Sequence, residues 1–294
     1  MKIQFNNVDF SSRSGPNGFG LKLARQFQKM GHEIVSANSD VALNFIHGYV
    51  PGTKNVLRLD GIYFNTSQNW MQMNAPIKTS YDLADEVVVQ SEFNRELVFR
   101  YFGERKNVHV IHNGTDLEAI EKVPVGSLGF LRERTWLCAS SWRPHKRLTE
   151  NIKYFQKFAQ DKDVLFVAGS GDVSIIEKSG DPRVKYLGDL SWTQLISVMK
   201  ASKYFVHLAY LDHCPNVVVD ARASGCMIHC ASSGGTQEIA GIESMIVQER
   251  AWNFEPHDLY HPKPLSYNHI RPGFHESEID VAKQAEKYYQ ILAR

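Results

Sequence analysis

Residues 204–225, YFVHLAYLDHCPNVVVDARASG, decide how the rest of the chain is read. The first seven residues form an apolar run of strand length. Pro215 and Asn216 fit a helix start, and Gly225 fits its stop. Strand, loop, helix and glycine stop follow in that order. The pattern predicts Asp212 at the end of a strand and Asp220 one turn into the next helix, with seven residues between them. A helix N-terminus offers free N–H groups and a positive dipole end to an anion. Two carboxylates beside such a site can accept from the vicinal hydroxyls of a sugar or a ribose.

The same alternation extends outward in both directions. Strand-like runs occupy residues 2–5, 33–36, 42–46, 56–59, 86–89 and 108–112. A glycine-bearing loop at 14–20 precedes a helical pattern over 21–30, and a second helix is predicted over 91–101. After a polar segment at 116–134 the pattern restarts, with strands at 135–140, 164–168, 184–187, 204–208 and 227–231. Helices are expected between them at 148–160, 192–201 and 216–224, and a last one over 276–292. Strands alternating with helices indicate an α/β fold of parallel sheets covered on both faces. The restart indicates two such sheets.

Composition excludes several classes. The chain has 294 residues, of which 43% are hydrophobic, and a formal net charge of +1. No global field selects nucleic acid or an anionic membrane. The start, MKIQFNNVDF, lacks the apolar core of a signal peptide, and no apolar run approaches the ~20 residues of a membrane span. A soluble cytoplasmic protein is expected. Cys138, Cys214, Cys226 and Cys230 read as buried free thiols. In a strand, Cys226 and Cys230 lie about 13 Å apart, too far to share one zinc ion.

In open parallel sheets ligands bind outside the carboxyl ends of the strands, so the loops there matter most. One is Ser141-Trp142-Arg143-Pro144-His145-Lys146-Arg147, with three permanent cations in five residues. Such a loop suits phosphate oxygens. A second, Ser232-Ser233-Gly234-Gly235-Thr236, places two glycines ahead of a helix, where backbone can approach a ligand closely. In the first half, Gly15–Gly20 could cradle a phosphate or a sugar, and Asp60 follows a strand toward the same edge. Asp161-Lys162-Asp163 has the form of a metal-holding pair, yet it precedes a strand and reads as a solvated turn. The histidine-rich stretch 257–275 reads as loop.

These motifs, in this order, resemble the GT-B glycosyltransferases of family 4, the retaining group 1 type. The family's E-x7-E motif corresponds to Asp212 and Asp220, followed by Ala221, Ala223 and Gly225. Its Arg…Lys pair corresponds to Arg143 and Lys146, and its nucleotide-contact turn to Tyr186-Leu187-Gly188-Asp189. Its first-domain signature corresponds to Ala84-Asp85-Glu86-Val87, Ser91-Glu92-Phe93 and residues 110–116, VIHNGTD. The compactness is similar to that of short members encoded by large algal DNA viruses, which would act in host cytoplasm.

The resemblance implies two Rossmann-like domains facing each other across a cleft. Residues 1–120 with a crossing helix at 276–294 would hold the acceptor, and 121–275 a nucleotide-sugar donor. Arg143 and Lys146 would stabilise the departing diphosphate, with Gly18 near the phosphates. Asp212 would take donor-sugar hydroxyls and Asp220 the ribose. Asn216, Val217, Leu187, Gly188 and Asp60 complete the expected donor site. Asp60 stands where the family often has His. No cofactor or metal is implied. The partners implied are a nucleotide-sugar, with GDP-mannose favoured over a UDP-hexose, and a glycan or glycoprotein acceptor; a homodimer is compatible. Both motif glutamates are aspartates here, so donor and loop must sit about 1 Å closer. Two other readings compete: an NAD-dependent oxidoreductase or epimerase resting on Gly15–Gly20, and an inactive sugar-nucleotide-binding protein.

Overall fold

The computed structural model describes residues 1–12 and 14–294. The first half builds a six-stranded sheet from β1 (Lys2–Asn6), β2 (Glu33–Val35), β3 (Val41–Phe45), β4 (Lys54–Leu59), β5 (Glu86–Val89) and β6 (Val108–Val110). Its order is β2-β1-β3-β4-β5-β6, and all pairs are parallel. The associated helices are α1 (Gly15–Lys29), α2 (Trp70–Leu83), α3 (Glu92–Phe102) and α4 (Leu117–Glu121).

The second half builds a seven-stranded sheet from β7 (Thr135–Ala139), β8 (Val164–Ala168), β9 (Val184–Gly188), β10 (Tyr204–His207), β11 (Met227–Ala231), β12 (Met245–Val247) and β13 (Ile270–Pro272). Its helices are α5 (Leu148–Phe158), α6 (Ser174–Lys178), α7 (Trp192–Lys200), α8 (Asn216–Ala223) and α9 (Thr236–Ile239); α10 (Val281–Leu292) closes the chain. The strand order is β13-β12-β11-β10-β7-β8-β9. It reverses direction between β7 and β10, which pair in parallel. That switch point is where loops from two neighbouring strands diverge and leave a crevice. Only β13 departs from the expected parallel pattern, returning antiparallel to β12.

Apolar periodicity explains most of the packing. Val281, Ala285, Tyr288 and Leu292 recur at helical spacing on α10 and pack with Ile3, Phe19, Leu23 and Phe27 of the first sheet and α1. The last helix therefore belongs physically to the first core. Ile120 of α4 packs into the second core beside Leu137 and Phe205. The segment after β12 turns back as well: Trp252, Phe254 and Leu259 pack against the cluster of Leu57, Phe64 and Tyr81. No helix among the described residues is long and apolar enough to cross a membrane.

Three local expectations are corrected. Residues 15–20 are not loop, because α1 starts at Gly15, with Pro16 in the first turn and Ser14 extended ahead of it. Proline's fixed φ favours that position. Helix α2 has no counterpart in the sequence reading, because Pro76 lies inside it and it carries little apolar stripe; its buried face includes Asn74 and Ser80. Asp163 is not solvated: it is buried and accepts from the Trp136 indole at 3.1 Å and the Gln160 amide at 3.0 Å.

Candidate active site

The carboxyl ends of the two sheets face one another across a cleft of about 340 Å³. From the first sheet it is lined by Gly15, Pro16, Asp60, Gln90 and Asn113. The second sheet contributes Ser140, Ser141, Arg143 and Lys146 after β7, His207 at the end of β10, and Asp212 to Val217 beyond it. A smaller cavity of about 120 Å³ shares Ser140, Ser141 and Val217 and adds Asp189, Leu190 and Leu195.

Adjacent strands bring the cationic loop and the acidic loop together. Pairing of β7 with β10 puts Lys146 and Asp212 side by side, although 66 residues separate them. Tyr210 N–H donates to the His145 carbonyl at 2.7 Å and ties the two loops. Lys146 Nζ donates to Asp212 Oδ2 at 2.5 Å, and His207 Nε2 donates to the same oxygen at 2.9 Å. Asp212 Oδ1 accepts the His213 amide at 3.1 Å. Burial alone would raise the Asp212 carboxyl, but the Lys146 charge and the His207 bond hold it well below the usual carboxylate range. Burial also keeps the His207 imidazole below its ordinary value, against the pull of Asp212, so a neutral ring donates this bond. The same cause pushes His145 and His213 down to about 4.

The backbone around this pair is unusual. Leu211 has φ of 54° and Arg147 has φ of 52°. Left-handed backbone at a bulky residue is costly and persists only where surroundings impose it. For Arg147 the surroundings are a two-pronged pair with Glu249 at 3.0 and 2.9 Å and a bond to the Lys263 carbonyl at 2.7 Å. For the Asp212 loop they are Gly234 and Gly235. Gly235 N–H donates to the Asp212 carbonyl at 2.8 Å, and a Cβ on Gly234 would lie 2.3 Å from that oxygen. These two glycines therefore admit the close approach of the Asp212 loop.

Two helix N-termini open into the cleft. Gly15 and Pro16 begin α1, and Pro215 and Asn216 begin α8. Asn216 Nδ2 donates to the Gly15 carbonyl at 2.8 Å, joining the two ends across the cleft. Their dipoles add to Arg143 and Lys146, so the wall between them favours an anion. On the far side Asp60 pairs with the fully buried Arg58 and with Gln90. Burial works against the Arg58 charge, and Asp60 together with Tyr288 of α10 more than offsets it.

Of the residues expected to form a donor site, Arg143, Lys146, Asp212, Asn216, Val217 and Asp60 line this cleft. Gly18 does not; it is inside α1, and Gly15 and Pro16 reach the cleft instead. Leu187 and Gly188 end β9, and their successors Asp189 and Leu190 line the smaller cavity. Asp220 is drawn away from the lining. Its Oδ1 accepts from Lys22 Nζ at 3.0 Å, and its Oδ2 accepts from the Trp192 indole at 3.0 Å. Lys22 belongs to α1 of the first sheet and also donates to Thr115 at 3.0 Å. His207 and Lys22 were absent from the sequence reading. A histidine ending an apolar strand before an acidic loop was the available signal for the first, and nothing flagged the second. The glycine run also follows β1 by eight residues, longer than the tight turn of a dinucleotide fingerprint.

Residues 127–252 match the family of glycosyl transferases group 1. That match spans β7 to β12 of the second sheet. No curated protein matches the sequence. Among solved structures, AviGT4, a glycosyltransferase involved in avilamycin A biosynthesis, is similar at TM-score 0.65 and 14% identity, over 100% of this chain and 97% of that one. Sucrose-phosphate synthase from Thermosynechococcus elongatus is similar at TM-score 0.68 and 12% identity, covering 88% and 87%. HepE of Anabaena, solved in complex with UDP-glucose, is similar at TM-score 0.62 and 14% identity, covering 81% and 82%. At such identities the likeness establishes the fold, which is GT-B.

Proposed function

We propose that this chain transfers a hexose from a nucleoside-diphosphate sugar to a hydroxyl of a glycan, with retention of anomeric configuration. The observation that carries the reading is one cleft in which Arg143, Lys146 and the N-termini of α1 and α8 surround space for an anion beside Asp212. A diphosphate gains negative charge as it leaves, and fixed cations and dipoles stabilise that charge most in a water-poor site. A lysine ammonium has three donors. One holds Asp212, and two are left for phosphate oxygens. Arg143 supplies a fork for the same group. These charges do the work a metal would otherwise do, so none is required.

The smaller cavity beside Val217 and Leu190 suits the nucleobase, and Asp212 faces the hexose hydroxyls. Asp212 is poorly suited as a covalent nucleophile, because one oxygen carries two donors and the other an amide. Front-face substitution fits better. The bond from the anomeric carbon to the phosphate oxygen breaks with its electron pair on the phosphate. The acceptor oxygen bonds to that carbon from the same side, and its proton passes to the leaving phosphate.

The test is calorimetric titration with UDP, GDP, UDP-glucose, UDP-N-acetylglucosamine and GDP-mannose. The motif resemblance favours GDP-mannose, and the UDP-glucose held by HepE puts uridine donors beside it. Micromolar binding of one nucleotide, followed by transfer or slow hydrolysis of its sugar form, supports the reading. No binding of any of the five overturns it.

A further inference from the structure

His207 is the last residue of β10 and only 4% exposed. Alternation along the strand puts Phe205 and His207 on one face, and their rings lie nearly parallel, at 14°. The Asp212 loop passes over that face. His207 and Lys146 converge on a single oxygen, Asp212 Oδ2, while Oδ1 carries only the His213 amide and keeps acceptor capacity for a ligand in the cleft. A lysine alone would not fix a carboxylate, because its four-carbon stem is flexible and its ammonium is also wanted by phosphate. An imidazole held by a strand and an aromatic neighbour is rigid. An aspartate has only two side-chain torsions, so two donors on one oxygen, together with a backbone held by Gly235, leave its carboxylate one orientation.

We infer that His207 is a positioning residue for the donor sugar: its Nε2–H fixes the Asp212 carboxylate so that Oδ1 meets a hydroxyl of the hexose. This rests on the proposed glycosyl transfer and adds to it the residue that sets how tightly the sugar, as distinct from the nucleotide, is held. His207 acts through Asp212 and does not touch the nucleotide. Its loss penalises the sugar-bearing donor and spares the free diphosphate. General loosening of the cleft would weaken both alike.

The experiment compares His207→Leu, which removes the donor, with His207→Gln, whose amide nitrogen can replace Nε2. Dissociation constants are measured by calorimetry for UDP and UDP-glucose, and for GDP and GDP-mannose, on variants whose thermal unfolding shows them folded. In His207→Leu the ratio of the sugar-donor constant to the free-diphosphate constant should rise about tenfold, the size expected for a lost hydrogen bond to a charged group. The free-diphosphate constant should change by less than about threefold, and His207→Gln should restore most of the ratio. Asp212→Asn should raise the same ratio, and combining it with His207→Leu should add little, because both remove one interaction. An unchanged ratio in a folded His207→Leu variant overturns the inference, as does equal weakening of both ligands. If Leu at this position prevents folding, a ratio in His207→Gln equal to that of Asp212→Asn overturns it, and a ratio equal to that of the unaltered chain supports it. Failure of the unaltered chain to bind any of the four ligands overturns the glycosyl-transfer reading first, and this inference with it.

Discussion

Asp212 and Asp220 stand at two ends of one motif, and each is held by a lysine, yet the two pairs differ in kind. Lys146 reaches Asp212 at 2.5 Å from the loop that follows the neighbouring strand of the same sheet. Lys22 reaches Asp220 at 3.0 Å from a helix of the other sheet. The first pair survives any separation of the two halves, and the second does not. Asp212 is thus organised in advance, while the company of Asp220 depends on how closely the cleft is shut. A ribose that sought Asp220 would meet an ammonium already there, with 8% of the acid's side chain exposed.

The strongest way to break this contrast is Lys146→Ala. If the Asp212 pair is catalytic machinery, turnover should fall about 10²- to 10³-fold, with a smaller change in donor affinity. Single-turnover kinetics would show it; unchanged turnover would remove the pair from the chemistry. Next is acid sensitivity on the same side of the motif. His213, next to Asp212, is held to about 4 by burial. The unfolded chain binds a proton there below pH ~6.5 while the folded chain does not. Stability should therefore fall as pH drops from about 6.5 to 4, by about 1.4 kcal/mol per pH unit for this group. Urea titrations at several pH values should show that slope reduced in His213→Asn. An unreduced slope would mean that His213 is not kept neutral.

On the other side, Lys22→Met and Asp220→Asn should each cost ~1–3 kcal/mol of stability, less than a fully buried pair. The double variant should cost little more than either single one. Additive costs in that cycle would mean that the two side chains do not interact. The smallest effect is expected from Glu238→Gln, about 1 kcal/mol: the two Glu238 oxygens accept from the Glu92 and Phe93 amides, and the single glutamine oxygen can keep one of those bonds. Faster hydrogen exchange at the Glu92 and Phe93 amides would register it. Exchange as slow as in the unaltered chain would place the capping charge elsewhere.

The sequence showed the architecture through order. Strand followed by polar loop followed by helix was enough to put Arg143, Lys146 and Asp212 at one edge, and parallel pairing did the rest. Helix α2 was illegible because Pro76 argues against a helix interior, and buried Asn74 and Ser80 interrupt the apolar stripe to which Ile77 and Tyr81 belong. The start of α1 was misread because glycines at 15, 18 and 20 resemble a loop, although Pro16 was the better guide. Lys22 could not be found by pattern. A lysine on an amphipathic helix looks solvated until the fold sets it beside an acid 198 residues away. Asp163 misled for the converse reason: a turn acid looks free until Trp136 is packed against it.

Glu238 of α9 carries a last consequence. Its carboxylate accepts from the Glu92 amide at 2.8 Å and the Phe93 amide at 3.0 Å, with His112 at 3.2 Å. One half of the molecule thus supplies the stopper for a helix that belongs to the other. Drawing the halves apart would uncork α3, baring amides that its own Ser91 cap does not serve, since that cap already takes the Asn94 amide. Opening therefore carries a toll in fraying as well as in lost contact. Separation of the two halves is thereby resisted through the secondary structure of one of them.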